Sequence, residues 1–343
     1  MSSMNSETPF DPVDRLNRDL RHAARELGKG QARYLVDLYY QIQRFRIGSG
    51  HQRLQAELGE PGPDPPAEDE PQPTPQPNEF LDWCHTQMHR LENNVKNALG
   101  VFARTYTVGI WLDSICGIGP VISAGLLAQV AIDKSPTVGH IWSFAGLNPD
   151  RHWERATKRP HSARLKTLCA FKLGESFVKV QNRANDYYGK LYVQRKALEI
   201  SRNHAGDYRY TADYVLTGRC RRCVEDPGYD PTPWSGPRRQ LCWVCHGRPE
   251  VTAKRIGKDT QAYEHYAAGR LPPAHIHARA RRWAVKLFLA HLHEVMFWDY
   301  YQTAPPNPYI FEHQPVGSDH RHKLQVPNWP PRERGKGLRE MAE

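Results

Sequence analysis

The sequence is poor in the features that mark secreted and membrane proteins. Its first ten residues, Met1 to Phe10, are polar and lack the apolar segment that a signal peptide needs. Its cysteines number only seven, an odd count that argues against a disulfide-stabilised scaffold and for a reducing compartment. The apolar stretch from Val108 to Ile132 contains Asp113, Gln129, four glycines and a proline, so it does not predict a membrane span. We therefore expect a cytoplasmic protein without a membrane partner.

Apolar residues are also scarce, at 39% of the chain, so we expect a real core but not a fully packed chain. A length of 343 residues predicts one to three domains. The formal net charge is +10, and it is unevenly placed. Residues 1–80 carry nine basic and thirteen acidic side chains, whereas residues 81–343 carry 38 and 24. A region this basic favours a polyanionic partner, although a basic protein without one is the alternative.

Helical periodicity and proline content divide the chain into segments. We expect a disordered tail over residues 1–11 and a helical hairpin over residues 12–60, with Asp11 as its N-cap and a second helix from Tyr34 to Leu58 after Gly28 and Gly30. The arginines of its first helix form either a solvated face or a phosphate-contacting arm. Residues 61–77 contain eight prolines and predict a linker, which places a domain boundary near residue 78. The proline-rich, basic residues 303–343 predict a C-terminal tail.

A glycine hairpin from Trp111 to Ala128 is the first informative motif, and an amphipathic helix over residues 78–105 leads into it. Gly117 and Gly119 permit a tight turn, and Pro120 suits the first turn of the helix that follows. Such a turn leaves backbone N–H groups at a helix N-terminus, where they can bind an anion. This helix-hairpin-helix pattern is typical of proteins that hold nucleic-acid backbones, and a structural corner that binds nothing is the alternative.

A basic segment follows, with six lysines and arginines in the 16 residues from Arg151 to Lys166. Their density indicates contact with phosphates. Together with Gly117 and Gly119, the candidate nucleic-acid-binding residues are Arg151, Arg155, Lys158, Arg159, Arg164 and Lys166.

The order of the motifs resembles the C-terminal domain of the bridge-RNA-guided insertion-sequence transposases. The motifs are Gly-Ile-Gly-Pro at 117–120, Ala-Gly-Leu-Asn-Pro at 145–149, Lys-Arg at 158–159, Leu-Lys at 165–166 and Tyr-Tyr-Gly-Lys-Leu at 187–191. The likeness covers about residues 108–200 and resumes at 275–298. It implies a transposase-like helical domain over residues 78–208 and 257–302 that binds DNA in transposition and recombination, in a cytoplasmic, nucleoid-associated setting. Structured RNA is an alternative partner, and a homo-oligomer is consistent with the family.

The chain also departs from this family in two places. The family has an N-terminal RNase-H-like domain with acidic metal-binding residues, whereas residues 1–107 here predict helices and a linker. The family's nucleophilic serine would fall within residues 150–157, which contain no serine, and Ser162 lies just beyond. Four hypotheses stay open: a recombinase completed by another subunit, a non-catalytic accessory protein derived from one, an RNA-binding module, and a protein-interaction scaffold.

Two Cys-x2-Cys pairs, Cys220 with Cys223 and Cys242 with Cys245, carry the strongest chemical signal. They are separated by 18 residues, and this spacing predicts four thiolates around one structural zinc ion, with two disulfides or unrelated thiols as the alternative. We expect a zinc-ribbon insertion over residues 209–256, and we do not expect the adjacent His246 to be a ligand. Arginines and tryptophans flank the pairs, as suits nucleic acid: Arg219, Arg221, Arg222, Arg238, Arg239, Arg248, Trp234 and Trp243.

The remaining cysteines, Cys84, Cys116 and Cys169, lie in apolar helical patterns and are expected to be core residues. A long amphipathic helix follows Pro272, and its histidines are expected to be helix-face residues and not metal ligands: His275, His277, His291 and His293. The predicted fold class is thus mainly α: a helical N-terminal hairpin and a helix-hairpin-helix domain with an inserted four-cysteine zinc ribbon.

Overall fold

A computed structural model of the chain describes residues 14–58, 78–154, 156–225, 242–306 and 325–341. Within these residues the fold is helical, with two isolated β-bridges as the only extended pairing, so the predicted mainly α class is confirmed. The tail at 1–11, the N-cap at Asp11 and the linker at 61–77 lie outside the described residues. The chain divides into two compact units. Unit 1 is Met1–Asp113, Gly119–Gln129 and Arg332–Glu343, and unit 2 is Ser114–Ile118 and Val130–Pro331.

Unit 1 holds the first five α-helices. They are α1 (Arg18–Ala23), α2 (Lys29–Leu58), α3 (Glu79–Arg104), α4 (Thr107–Asp113) and α5 (Pro120–Gln129). The Asn78 side chain caps α3 by accepting from Phe80 N, and α3 matches the predicted helix at 78–105 within one residue. The predicted interruption at Gly30 is wrong, because α2 begins at Lys29. A glycine costs about 1 kcal/mol in a helix, which tertiary packing offsets.

Helix α5 forms the core of unit 1 and packs against α2 and α3. Seven of its ten residues are buried, including Leu126 and Leu127. A Cβ on Gly100 of α3 would meet the Pro120 ring at 3.4 Å, so the two helices approach closely there. The hairpin therefore contains a short helix, a tight turn and a second helix from Pro120, as predicted. Among the described residues, no helix has both the length and the apolar character that crossing a bilayer requires.

Two predicted boundaries differ from the observed packing. Helices α2 and α3 lie in the same unit, where Glu92 of α3 accepts hydrogen bonds from Gln43 and Arg46 of α2, so a boundary near residue 78 does not separate compact bodies. The described residues 332–341 also pack on unit 1 and are not a free tail. Lys336 N donates to Thr105 O at 2.8 Å, and Leu338 and Met341 are buried. Main-chain hydrogen bonds and isolated apolar side chains hold this segment. Because such contacts need no periodic pattern of apolar residues, the sequence does not reveal them.

Unit 2 contains the remaining α-helices. They are α6 (Val138–Phe144), α7 (Ala163–Lys166), α8 (Gly174–Val180), α9 (Tyr188–His204), α10 (Arg209–Thr217), α11 (Arg221–Glu225), α12 (Gln261–Ala267) and α13 (Pro273–Tyr301). A π-helical segment, Thr167–Leu173, joins α7 to α8, so the chain is helical without a break from Ala163 to Val180 and is widened in its middle. Helix α13 packs against α6, α8 and α9. The ring of Phe177 stacks on buried Tyr188 with centroids 4.9 Å apart, and the ring of Phe288 meets Tyr188 edge to face at 5.2 Å.

The four histidines of α13 all have protein partners, as expected of helix-face residues. Three share a hydrogen bond with a tyrosine hydroxyl, and the fourth donates to a backbone carbonyl. The pairs are His275 with Tyr266, His277 with Tyr192, His291 with Tyr188 and His293 with Ser135. Burial lowers the pKa of His275 to about 4, so this side chain is neutral at physiological pH.

Candidate metal centre and adjoining basic loop

The four cysteines of the two predicted pairs lie together in unit 2. Their sulfur atoms are all within 4.8 Å of one another, with Cys220 and Cys242 3.8 Å apart and Cys223 and Cys245 3.6 Å apart. A disulfide would need about 2.05 Å, and all four are free thiols. Three of them are buried and Cys223 is half-buried. The cluster can therefore hold a metal ion, and the disulfide alternative is not what the fold contains.

Backbone hydrogen bonds hold the two pairs in place. Helix α10 ends at Gly218, which adopts a left-handed conformation with φ of 72°. The chain on either side of the pairs then joins, since Cys220 N donates to Pro249 O and Val251 N donates to Gly218 O, both at 2.8 Å. A tight turn at the second pair is closed by His246 N, which donates to Cys242 O at 2.8 Å. The frame of the cluster is thus built from main-chain contacts.

The protonation of the cysteines reflects their burial and their proximity. Burial raises the pKa of Cys220 to about 11 and also raises the pKa of Cys223. Burial acts in the same direction on Cys242, but backbone N–H groups of Cys245 and Val244 hold its pKa below the usual value. Thiols packed this closely resist ionisation together, and a cation among them compensates the charge of the thiolates.

Position 218 requires a glycine because of its backbone conformation and because of the atoms around it. A Cβ at this position would collide with the Val251 carbonyl oxygen, and φ of 72° is unfavourable for any residue with a side chain. We expect Gly218→Ala to separate the two chain segments that flank the cysteines and to weaken metal retention by at least tenfold. Competition with a metal-binding dye, followed by absorbance, measures this change.

Gly206→Ala is the matched control for this substitution. Gly206 also has a positive φ, of 83°, but a Cβ there would meet nothing within 4 Å. It therefore carries the same conformational cost of about 1–2 kcal/mol without the collision. Equal metal retention in the two variants would contradict a role for Gly218 in framing the cysteines.

The start of the basic segment is anchored on the turn that follows the second cysteine pair. His246 Nδ1 lies 3.0 Å from Asp150 Oδ1, and His152 Nε2 lies 2.9 Å from the His246 carbonyl oxygen, to which it donates. The hydrogen bond with His246, opposed by partial burial, holds the pKa of Asp150 below its usual range. As predicted, His246 does not belong to the sulfur cluster. Its contacts with Asp150 and His152 were not predicted, because they join positions almost 100 residues apart.

Most of the predicted phosphate-contacting side chains of this segment are exposed. Arg151, Lys158 and Arg159 lie in the loop and Arg164 lies on α7. Lys166 is half-buried, and Arg155 lies outside the described residues. The exposed Trp153 supports the loop from within, since its Nε1 donates to Thr157 O at 2.8 Å and the Arg159 guanidinium lies 5.1 Å from its ring centroid.

The two hairpin glycines have different surroundings. Gly117 has φ of 92°, its carbonyl oxygen accepts a hydrogen bond from Ser176 Oγ of α8, and a Cβ there would meet Val180 at 3.1 Å. One amide of the turn is also engaged, because Ile118 N donates to Ile115 O at 3.0 Å. Gly117 is therefore packed on its own unit. A Cβ on Gly119 would meet no atom within 4 Å, so this position is open.

Ser162 has a structural role. Its hydroxyl oxygen accepts from Leu165 N at 3.2 Å and thereby caps α7, and its own N–H donates to Phe144 O at 2.9 Å. A serine in this position orders the end of the basic loop.

Profiles of protein families, curated proteins and solved structures contain no match to this chain. What the chain can bind follows from the geometry of unit 2.

Proposed function

We propose that this protein binds DNA through unit 2, on a surface formed by the basic loop and a zinc centre. One observation supports this most directly: Asp150 and His152 contact His246, which places the start of the loop on the turn that follows Cys245. Two sequence features that separately indicate nucleic acid are thereby neighbours. A cationic loop fixed on a rigid centre loses less conformational entropy on binding than a free one.

Zinc is the metal that this donor set fits best. A tetrahedron with zinc–sulfur distances of about 2.3 Å has sulfur–sulfur distances of about 3.8 Å. The separation of 3.8 Å between the Cys220 and Cys242 sulfurs and that of 3.6 Å between the Cys223 and Cys245 sulfurs agree with that figure. Four thiolates leave no coordination position open, so the ion supplies folding energy and no catalysis.

The charge of the loop suits a polyphosphate. The carboxylate of Asp150 is already engaged by His246, whereas Arg151, Lys158 and Arg159 are exposed. Side chains of this kind position a protein on a duplex without reading its sequence.

The resemblance to insertion-sequence transposases supports a setting in transposition or recombination. A non-catalytic accessory protein that binds DNA or structured RNA is the second candidate, and two observations favour it. The hydroxyl of Ser162 caps α7, and the described residues before Thr107 form helices without the sheet of an RNase-H-like domain.

Neutralising the loop tests the proposal. We expect the double variant Lys158→Gln/Arg159→Gln to weaken duplex DNA binding about tenfold at low salt, because each lost phosphate contact removes one counterion-release event. The slope of log K against log salt should become shallower by about 2. Fluorescence anisotropy with a labelled duplex, across a salt series, measures both quantities.

Arg44→Gln is the control for this experiment, since Arg44 is an exposed arginine of α2 in unit 1. The proposal fails if the double variant and the control bind the duplex alike, or if the unaltered protein does not bind it. A structured RNA of equal length in the same assay separates the two candidates: tighter binding of the RNA favours the accessory RNA-binding protein.

A further inference from the structure

A cavity of about 440 Å³ lies in unit 1, between the chain around α1 and one face of α3. Its volume falls within the range of small-ligand pockets, about 300–1,000 Å³. Apart from Leu16, the described residues that line it are polar: three arginines, three asparagines and a histidine. None of them belongs to the DNA surface proposed for unit 2.

The α3 side of the cavity has a spacing that usually marks a buried apolar face. Arg90, Asn93, Asn94 and Asn97 follow one another at i, i+3, i+4 and i+7, so they share one face of the helix. Asn93 and Asn94 are half-buried, whereas Arg90 and Asn97 are exposed. The apolar core is formed by other positions of α3, including Leu99. This polar face therefore does not serve the core of the unit.

The chain around α1 is held against this face. Asn94 Nδ2 donates to the Asp14 carbonyl oxygen at 2.7 Å, and the side chain of Asn17 caps α1. Arg15 lies between these two contacts, and Arg21 lies on the helix itself. Both arginines line the cavity. Their backbone is thus fixed at the cavity before any ligand binds.

The lining has an excess of positive charge. No acidic side chain occurs among the described residues that form it. Within the part of the chain that the structure describes, the guanidinium groups of Arg15, Arg21 and Arg90 form neither an ion pair nor a hydrogen bond. Other arginines of unit 1 do have such a partner, as Arg46 has in Glu92. Like charges around one cavity repel one another, so an anion of similar charge stabilises the arrangement.

The size and charge of the cavity favour a compact anion. A backbone phosphodiester carries one negative charge, whereas a terminal phosphate monoester carries about −2 at neutral pH, and a di- or triphosphate carries more. Guanidinium groups present paired donors to phosphate oxygens, and asparagine amides add further donors. The described lining contains no Phe, Tyr or Trp ring on which a base could stack. Recognition should therefore fall on the phosphates and not on the base.

We propose that this cavity binds the di- or triphosphate group of a nucleotide. Arg15, Arg21 and Arg90 neutralise the phosphate charge. Asn97, whose side chain has no hydrogen-bond partner among the described residues, donates from its amide. The inference concerns unit 1 and goes beyond the DNA binding proposed for unit 2. The same group occurs on a free nucleotide and at the 5′-triphosphate end of an RNA strand, and the test distinguishes these two sources.

The test uses the purified full chain and a fluorescently labelled adenosine triphosphate, followed by anisotropy without added divalent cations. We expect saturable binding that Arg90→Gln and, separately, Arg21→Gln weaken about tenfold, because each removes a charge-assisted contact. Arg25→Gln is the matched control, since Arg25 is an exposed arginine of the same segment that does not line the cavity. All three positions are exposed, so the midpoint of thermal unfolding should stay within a few degrees of the unaltered protein.

Unlabelled competitors define what the cavity recognises. Pyrophosphate should compete and adenosine should not, because the arginines bind the phosphates. A short RNA with a 5′-triphosphate is compared with the same RNA bearing a 5′-hydroxyl. If the triphosphate RNA competes better than free adenosine triphosphate, the ligand is a strand end. If it competes less well, the ligand is a free nucleotide.

Several outcomes would overturn the proposal. They are no saturable binding, equal affinity in Arg90→Gln and Arg25→Gln, and competition by adenosine as strong as that by pyrophosphate. Equal competition by the 5′-hydroxyl and 5′-triphosphate RNAs would assign the cavity to a nucleic-acid backbone instead. Loss of triphosphate binding in Lys158→Gln/Arg159→Gln, but not in Arg90→Gln, would assign the anion to the loop of unit 2.

Failure of the proposed function looks different in this experiment. Duplex binding, measured in the same variants, should depend on Lys158 and Arg159 and not on Arg90. A protein that binds the triphosphate but not the duplex would contradict the DNA-binding role of unit 2 and leave the cavity of unit 1 as proposed. A protein that binds the duplex but not the triphosphate would do the opposite.

Discussion

Removal of the metal is expected to unfold the described residues 218–225 and 242–251 while α2, α3 and α5 remain helical. These residues have little other support, because their buried cluster consists of three of the cysteines and Val244, with Tyr210, Tyr214 and Cys223 packed against it. Metal binding contributes about 10–16 kcal/mol to folding in small thiolate sites. Helix α5, by contrast, is buried among apolar side chains of unit 1. Hydrogen-exchange mass spectrometry before and after chelation, with elemental analysis, measures the change.

Cys223→Ser is expected to reproduce the effect of chelation, since it removes one of four ligands. Cys84→Ser is its matched control, because Cys84 is also a half-buried free thiol but lies on α3 and is not one of the four clustered cysteines. Elemental analysis should find one zinc per chain in the unaltered protein and in the control. Native protein in which all four clustered cysteines react rapidly with a thiol reagent, with no metal and unchanged exchange, would contradict a metal-held fold.

The clustering of the four cysteines could be predicted from the sequence because its signal is local. Two Cys-x2-Cys pairs specify ligand type and spacing whatever the rest of the chain does, and the structure brings all four sulfurs together. The helix at 78–105 could be predicted for a similar reason, because its apolar periodicity extends over seven turns. The tight turn that the two hairpin glycines permit is present, and Gly117 adopts a positive φ in it.

The surfaces around the four cysteines could not be predicted from the sequence in the same way. The contact between Asp150 and His246 joins segments that no local pattern relates. A cavity beside Trp243 takes Arg202 and Arg209 from helices that precede the first cysteine pair, so composition near the cysteines could not reveal them. Residues 332–341 pack through main-chain bonds, which leave no trace in hydrophobic periodicity. Long-range pairing is where sequence patterns carry least information.

Glu199→Ala is expected to cause the largest loss of stability among single substitutions in α9. The Glu199 side chain is 1% exposed, and it accepts hydrogen bonds from Arg195 and Arg279 at 2.8 Å each and from the hydroxyl of buried Tyr208. Removing the carboxylate leaves two largely buried guanidinium groups and a phenol without their acceptor. Breaking such a pair costs about 3–5 kcal/mol, and the partial exposure of Arg279 favours the lower end. For a unit of this size the midpoint of thermal unfolding should fall by roughly 6–12 °C.

The pH dependence of stability provides a second readout of the same group. Burial raises the pKa of Glu199, but the hydrogen bonds from Tyr208 and Arg279 outweigh it and hold the pKa below the usual value. A carboxyl with a depressed pKa stabilises the fold above its unfolded pKa of about 4.3, and this contribution is lost as the pH falls through the folded value. Thermal unfolding of Glu199→Gln should therefore depend less on pH between 5 and 3 than that of the unaltered protein.

Asp207→Asn is the control for both readouts, because the pair of Asp207 with Arg202 is about 41% exposed on each side. Exposed pairs of this kind contribute about 0–1 kcal/mol, so its unfolding midpoint should stay within a few degrees of the unaltered protein. If Glu199→Gln unfolds at pH 7 at the same temperature as Asp207→Asn, the buried carboxylate does not hold α9 to α13.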